Sequence, residues 1–436
     1  MKRPSLDAAR GFDRAVYVVA GGRLLNVFGS GLVYPFATVH FHLQVGLALS
    51  LVGLGLLANN VALATGTAVG GHLADRWGRK PVMVASMALS TVSLAAYALV
   101  RTAPGFVTVA TAAGLTAGLY APASQAALAD LTDADERERG YGLLKVASNA
   151  GFGSGFVVGG LLYQVAGVAV FVLDGLTSGL VAALLVVALP RLRAGRSDVA
   201  RAGGEATDSP RRGASASLRA AFAGWTGVVA RPRVLGLAAL NVGFAVMYAQ
   251  MNATVPVVAK GGLGLTAAQL GTLYVLNPLV LVICQLPALS AVGAWRRTRG
   301  LVASAGFWAA SMVVVWGAGL PVSRSVAVAL VGGHLVLRTV GEILHAPLVA
   351  SLASDLGGGA DRGTQLSTME VAKRLGMGAG AAIGGAFFDA GAADLLWLTL
   401  VGGCLAVAVG LLVLERTLTP AENGVGGDGA ADAVRA

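Results

Sequence analysis

Two charged side chains within one apolar run, Arg338 and Glu342, stand four residues apart. On a helix that spacing puts them on one face, within reach of each other. An ionisable residue inside a membrane-length segment costs about 2.5–3.5 kcal/mol on insertion scales, so such residues mark function by default. An acid beside a cation can hold its charge, and one in a dry surrounding can hold a proton. Glu342 can therefore carry protons, with Arg338 as its partner. Arg23 and Asp174 are also ionisable and also lie within apolar runs. Asp174 falls near the end of its run and reads as a surface acid. A second locus is Gly71-His72-Leu73-Ala74-Asp75-Arg76-Trp77-Gly78-Arg79-Lys80-Pro81, a polar island between two long apolar runs. Asp75 is a lone acid among Arg76, Arg79 and Lys80, which predicts a specific pairing. Gly71 and Gly78 suit close helix approach and a sharp turn. The sequence holds no metal-ligand cluster, nucleophile elbow or phosphate-binding loop. An enzyme, a bound metal or cofactor, and ATP-driven pumping by this chain alone are not expected.

These residues need membrane helices to hold them. The chain has 436 residues, 56% hydrophobic and 12% charged, against about 25% charged in a soluble domain. Apolar runs long enough to cross a bilayer recur along it. Helices are predicted at 15–38, 45–72, 82–100, 105–128, 142–165 and 168–189, then at 234–258, 267–290, 300–319, 325–350, 364–388 and 392–414. In order they are α1 to α12. The net charge of +10 lies between the runs without interleaved aromatics, which reads as the positive-inside bias and not as a nucleic-acid surface. Twelve spans with both termini in the cytoplasm satisfy that bias. The predicted layout is a six-helix bundle at 1–189, a cytoplasmic linker at 190–233, a second six-helix bundle at 234–414 and a disordered cytoplasmic tail at 415–436. Within the linker, 215–230 can form a surface helix, though a plain tether is the preferred reading. Cys284 and Cys404 both fall in apolar runs, so no disulfide framework is expected.

A shift of 225 residues superposes the two halves. Pro122 then falls on Pro347, Asp130 on Asp355 and Arg137 on Arg362, and a set of glycines from Gly151 to Gly160 falls on Gly376 to Gly385. The second copy of the polar island, Gly293 to Gly300, keeps its bases and lacks the acid. Along α5, Gly151, Gly155, Gly159 and Gly160 form a small-residue face suited to tight packing.

The island resembles the signature G-x-L-a-D-R-x-G-R-K of the major facilitator superfamily, with Gly71, Leu73, Asp75, Arg76, Gly78, Arg79 and Lys80 matching. The resemblance implies an all-α integral membrane protein with twelve transmembrane helices in two pseudo-symmetric six-helix bundles, related by an axis along the membrane normal. It also implies that Asp75 sits near the cytoplasmic start of α11 and holds the outward-facing state. Arg76 or Arg79 would meet an acid at the end of α4, for which Asp130 is the natural choice. The α5 glycines resemble the antiporter motif G-x-x-x-G-P-x-x-G-G, with Phe156 in place of the proline. With the stretch from Arg23 to Pro35 and Gly341-Glu342…Pro347, the pattern resembles the bacterial drug/proton antiporter branch, which includes multidrug-resistance members.

By that resemblance α1, α4, α7 and α10 line a central cavity. Arg23, Arg338 and Glu342 would meet there, with Asn26 and Tyr34 nearby. Asn241, Gln250 and Asn277 would supply cavity hydrogen bonds. With Arg23 in α1 where many exporters of cationic drugs carry acids, the cavity leans positive and suits anionic, zwitterionic or neutral amphiphiles. The expected protein is a monomeric, proton-coupled efflux antiporter in the cell (inner or plasma) membrane, driven by the proton gradient and carrying a small-molecule substrate. The alternatives are a proton- or sodium-coupled importer or lipid-linked flippase on the same fold, and a transport-dead sensor or scaffold.

Overall fold

The computed structural model describes residues 11–133, 136–190, 231–356 and 362–425. Among these residues there are helices and turns and no strand. α1 runs Arg14–Val33 and continues through Phe36–Val39 and a π-helical turn at His40–Gln44. It is followed by α2 (Leu49–Trp77), α3 (Arg79–Ala96), α4 (Ala103–Leu131), α5 (Arg137–Ala166) and α6 (Ala169–Ala188). α7 (Pro232–Ala253) continues through Val255–Val257 into a second π-helical turn, Val258–Gly262. α8 comes in two pieces, Ala267–Tyr274 and Leu276–Ala291. The last four are α9 (Arg297–Gly317), α10 (Arg324–Asp355), α11 (Arg362–Asp389) and α12 (Ala393–Glu415). Most of the predicted linker, including 215–230, lies outside the described residues.

Among the described residues, ten spans are long and apolar enough to cross a membrane. α5 and α11 have the length, but each begins in charged residues and is rich in glycine. Large apolar side chains stand fully out from the helices, with Val165 87%, Val187 86% and Leu99 82% exposed. Water would not tolerate so much exposed apolar surface, whereas lipid does. The chain is a multi-pass membrane protein.

Two compact units divide the chain, Met1–Glu205 with Pro256–Pro278, and Ala206–Val255 with Leu279–Ala436. Pro256–Pro278, placed by sequence in the second bundle, thus packs within the first unit. Glycines set the helix contacts inside each. A Cβ on Gly151, Gly155 or Gly159 would lie 2.4–2.6 Å from the backbone of Leu24, Phe28 or Leu32 of α1. The partners advance in step, so α1 and α5 run parallel at backbone contact. Gly160 instead meets Ala267 of α8 at 2.6 Å. In the second unit Gly376 and Gly380 of α11 lie equally close to Val242 and Val246 of α7, and Gly384 to the Gln250 side chain. The repeated glycines therefore perform one packing task twice.

Several expectations need correction. The polar island, placed between the predicted helices 45–72 and 82–100, is itself helical except at its turn. α2 runs through Trp77 and α3 starts at Arg79, with the break at Gly78 alone, whose φ of +96° suits glycine. Gly71 makes no close approach, since a Cβ there would come no nearer than 4.0 Å to Pro122. Gly70 takes that part, since a Cβ there would lie 2.7 Å from the Leu119 backbone. Asp174 is not a surface acid. It is 3% exposed, packed against α1 where Gly29 leaves the room, and its Oδ1 has no hydrogen-bond partner among the described residues. Beside it Phe41, Tyr97, Phe106 and Phe171 form an aromatic cluster with ring centroids 4.4–5.9 Å apart.

The start of the tail expected to be disordered is ordered. Asn423 is buried, its Oδ1 accepts from Thr298 N at 3.0 Å, and its Nδ2 donates to Thr298 Oγ1 at 2.8 Å. The two cysteines are free thiols, and Cys404 donates to the Met247 sulfur at 3.1 Å.

Candidate functional site

In the second unit, the one-face geometry of α10 brings the expected pair together. Arg338 Nη1 lies 3.1 Å from Glu342 Oε2, with the Arg338 side chain 1% and the Glu342 side chain 20% exposed. Two partners come from other helices. Tyr248 of α7 donates its hydroxyl to Glu342 Oε1 at 3.0 Å, and the Arg338 guanidinium sits 4.2 Å above the Tyr248 ring. Trp308 of α9 packs 6.0 Å from that ring. Gly341 makes this possible, since a Cβ there would lie 1.9 Å from Trp308. Lys373 Nζ of α11 lies 5.9 Å from the Tyr248 ring on its way to Glu370. Glu342 thus keeps a partly open carboxylate, held by one cation and one phenol. Neither Tyr248 nor Trp308 stands out in the sequence. Tyr248 lies seven residues from Asn241, two helical turns along α7, a spacing that could have raised it.

In the first unit Arg23 donates through Nε to Ser148 Oγ of α5 at 2.9 Å. It lines a cavity of about 190 Å³ with Ser124, Gln125, Tyr141, Lys145 and Ser148. The other polar residues assigned to a central cavity serve mostly as links between helices. Asn26 Nδ2 meets the Met87 sulfur of α3 at 3.6 Å. Asn241 donates to Met369 O at 2.8 Å, and its Oδ1 lies 2.9 Å from His345 Nε2. Gln250, fully buried, donates to Gly380 O at 2.9 Å and accepts from Thr254 Oγ1 at 3.0 Å. A polar group in a span finds its partner on the neighbouring helix wherever one is in reach. Tyr34 is 39% exposed and faces Phe152 at 6.1 Å. Asn277 is half-buried in α8, within the first unit.

At the end of α2, Arg79 gathers the acids. It pairs with Asp75, one helical turn back, and with Asp130 of α4 at 3.3 Å. Asp75 remains 73% exposed. Lys80 donates to the carbonyl of Leu189 and, at 2.9 Å, to that of Val186, both at the end of α6. Leu73 is half-buried, whereas Arg76 is exposed. The second copy repeats the scheme with other residues. Arg297 pairs with Asp355 at the end of α10, and Glu415 accepts from Arg296 at 2.9 Å and from Thr298 Oγ1 at 2.8 Å. The acid missing from its turn is thus replaced by one from the end of α12.

The comparisons with known proteins agree on the class. The model of the Major Facilitator Superfamily matches residues 19–367. An uncharacterized MFS-type transporter, YttB of Bacillus subtilis (strain 168), is 28% identical over 149 residues, covering 34% of this chain and 37% of the relative. The multidrug resistance protein MdtH of Yersinia enterocolitica is 34% identical over a stretch with the same coverage. The matched stretch is thus little more than a third of either relative. Among solved structures, a mutant form of the nucleoside transporter NupG superposes with a TM-score of 0.75 at 11% identity, covering 92% of this chain and 99% of that one. The POT family transporter PepTSo gives 0.73 at 15%, covering 93% and 98%. At such identities the likeness is one of fold. With the family model spanning most of its length, the chain belongs to the major facilitator superfamily.

Proposed function

We propose that the protein is a proton-coupled efflux antiporter for small amphiphilic compounds, working by alternating access in the cell membrane with both termini in the cytoplasm. The observation that carries this reading is the Glu342 carboxylate, 20% exposed beside buried Arg338 and held by Tyr248. Cargo binds while Glu342 is ionised, and protonating Glu342 removes the charge that the bound site presents and releases the cargo. Binding of cargo drives the proton off. Each group favours one state of the other, which is the coupling an exchanger needs. The name of the MdtH relative supports a drug-like cargo. Arg79, between Asp75 and Asp130, fits a gate at the cytoplasmic end.

The reading is tested with purified protein in liposomes containing a pH dye, with no gradient imposed and a zwitterionic fluoroquinolone added outside. The proposed exchange moves protons in the direction opposite to the drug. Drug uptake with protons moving in the same direction would favour the importer alternative, and uptake with no proton movement would remove the coupling. Asp75→Asn should insert and fold normally yet lower the exchange rate severalfold. An unchanged rate in that variant would take Asp75 out of the gate.

A further inference from the structure

We propose that the cavity lined by α1, α4 and α5 is an anion subsite that receives the carboxylate head of the cargo. This deepens the reading of the chain as a carrier of small amphiphiles and rests on it. Two cations line the cavity, Arg23 from α1 and Lys145 from α5. Among the described residues no carboxylate forms an ion pair with either. Both lie well inside their helices, Arg23 nine residues beyond Arg14 and Lys145 eight beyond Arg137. At about 1.5 Å per residue each is about 12–14 Å from its helix start. The glycine contacts set Gly151 beside Leu24, so Lys145 lies about five residues toward the helix starts from the level of Arg23, about 7–8 Å along the axis, and both side chains reach the same cavity.

Cations inside membrane spans normally pair with an acid, face a water-filled cavity or mark a substrate path. Here neither cation has a paired acid among the described residues, and the cargo can supply one. The remaining lining fits an oxyanion. Ser124 carries a hydroxyl, Gln125 an amide and Tyr141 a phenol. Arg23 gives one N–H to Ser148. That bond fixes the plane of the guanidinium and leaves its other donors for a forked carboxylate contact. Ser148 is itself anchored, donating to Leu144 O at 2.8 Å. The volume, about 190 Å³, is below the roughly 300–1,000 Å³ of sites that enclose a drug-sized ligand. The cavity therefore holds a head group, and the apolar body of the cargo lies outside it.

The test uses the purified full-length protein in neutral detergent with no pH gradient, so that a failure of proton coupling leaves it unaffected. Four probes are titrated calorimetrically: 4-phenylbutyrate, its amide, 4-phenylbutylamine and glycerol phosphate. The subsite predicts 4-phenylbutyrate binding at least about tenfold tighter than the amide, with the amine weaker still. Arg23→Gln should weaken the carboxylate by about tenfold, and Arg23→Lys should recover part of that. Lys145→Gln changes an exposed side chain, and it should cost severalfold without altering the melting temperature. Equal affinity for acid and amide, no binding of 4-phenylbutyrate, or unchanged binding in both Gln variants would overturn the proposal. Tight binding of glycerol phosphate without 4-phenylbutyrate would assign the pocket to a lipid head group and overturn it equally.

Discussion

Arg338 is buried to 1% of its side chain, and its charge is tolerable because Glu342 and the face of Tyr248 meet it. The pair was legible in the sequence, because a four-residue spacing in one apolar run fixes a shared face whatever the tertiary structure does. The third member was not, since Tyr248 reaches Glu342 only through the packing of α7 on α10. Asp174 shows the limit more sharply. Its place along α6 was readable, but depth along a helix says nothing of which side faces a neighbour. The deciding residue is Gly29, 145 positions away, where a Cβ would lie 2.5 Å from Asp174 Oδ1 and 2.1 Å from Thr177 Oγ1. Gly29→Ala should therefore destabilise the protein by about 1–3 kcal/mol through overpacking, read as a lower melting temperature in detergent. A melting temperature equal to wild type would show that the α1–α6 contact gives way easily.

At the scale of elements, helix existence and order followed from the apolar runs, whereas α5 and α11 start at Arg137 and Arg362, a pair that the 225-residue shift superposes, and not at 142 and 364. Helix ends were harder to read. The charged island reads as a loop if charge is equated with contact with water, yet its residues continue α2 to its end at Gly78. Polar residues in spans misled in another way. Asn26, Asn241 and Gln250 looked like cavity ligands and prove to be fasteners between helices. Glycine contacts give a sharp contrast to test. Gly155→Val puts a branched side chain where a Cβ would already lie 2.4 Å from Phe28 O. Separating α1 from α5 should cost well over 1–3 kcal/mol by overpacking, as roughly estimated for cores, and sharply reduce the yield of folded protein. Gly71→Ala, with its nearest neighbour at 4.0 Å, should stay within about 0.5 kcal/mol of wild type. The two are compared by fluorescence size-exclusion after expression; equal yields would contradict the packing account.

Over the whole molecule, each unit closes one end with the same device made from different residues. Arg79 with Asp130 in the first corresponds to Arg297 with Asp355 in the second. The first unit adds Asp75 from its own turn, while the second borrows Glu415 from α12, braced by Asn423. The missing acid was visible in the sequence. Its replacement was not, because Glu415 lies 122 residues from Gly293. If the second device is mainly structural and the first mainly a gate, the two acids differ in effect. Asp355→Asn should lower thermal stability with little change in rate per folded molecule, and Asp130→Asn should slow transport with little change in stability. Melting curves and initial rates on the same preparations separate these outcomes, and the reverse pattern would reassign the roles.

The central claim is that Glu342 carries the proton that drives transport. Glu342→Gln keeps the shape and one oxygen, which can accept from Tyr248 or Arg338, and removes the charge and the titratable proton. Reconstituted in liposomes with an imposed pH gradient as the sole driving force, it should bind the fluoroquinolone with wild-type affinity and exchange it down its own gradient. It should fail to accumulate the drug against that gradient. Uphill transport by the Gln variant under the same pH gradient would make Glu342 structural and place the proton carrier elsewhere in the chain.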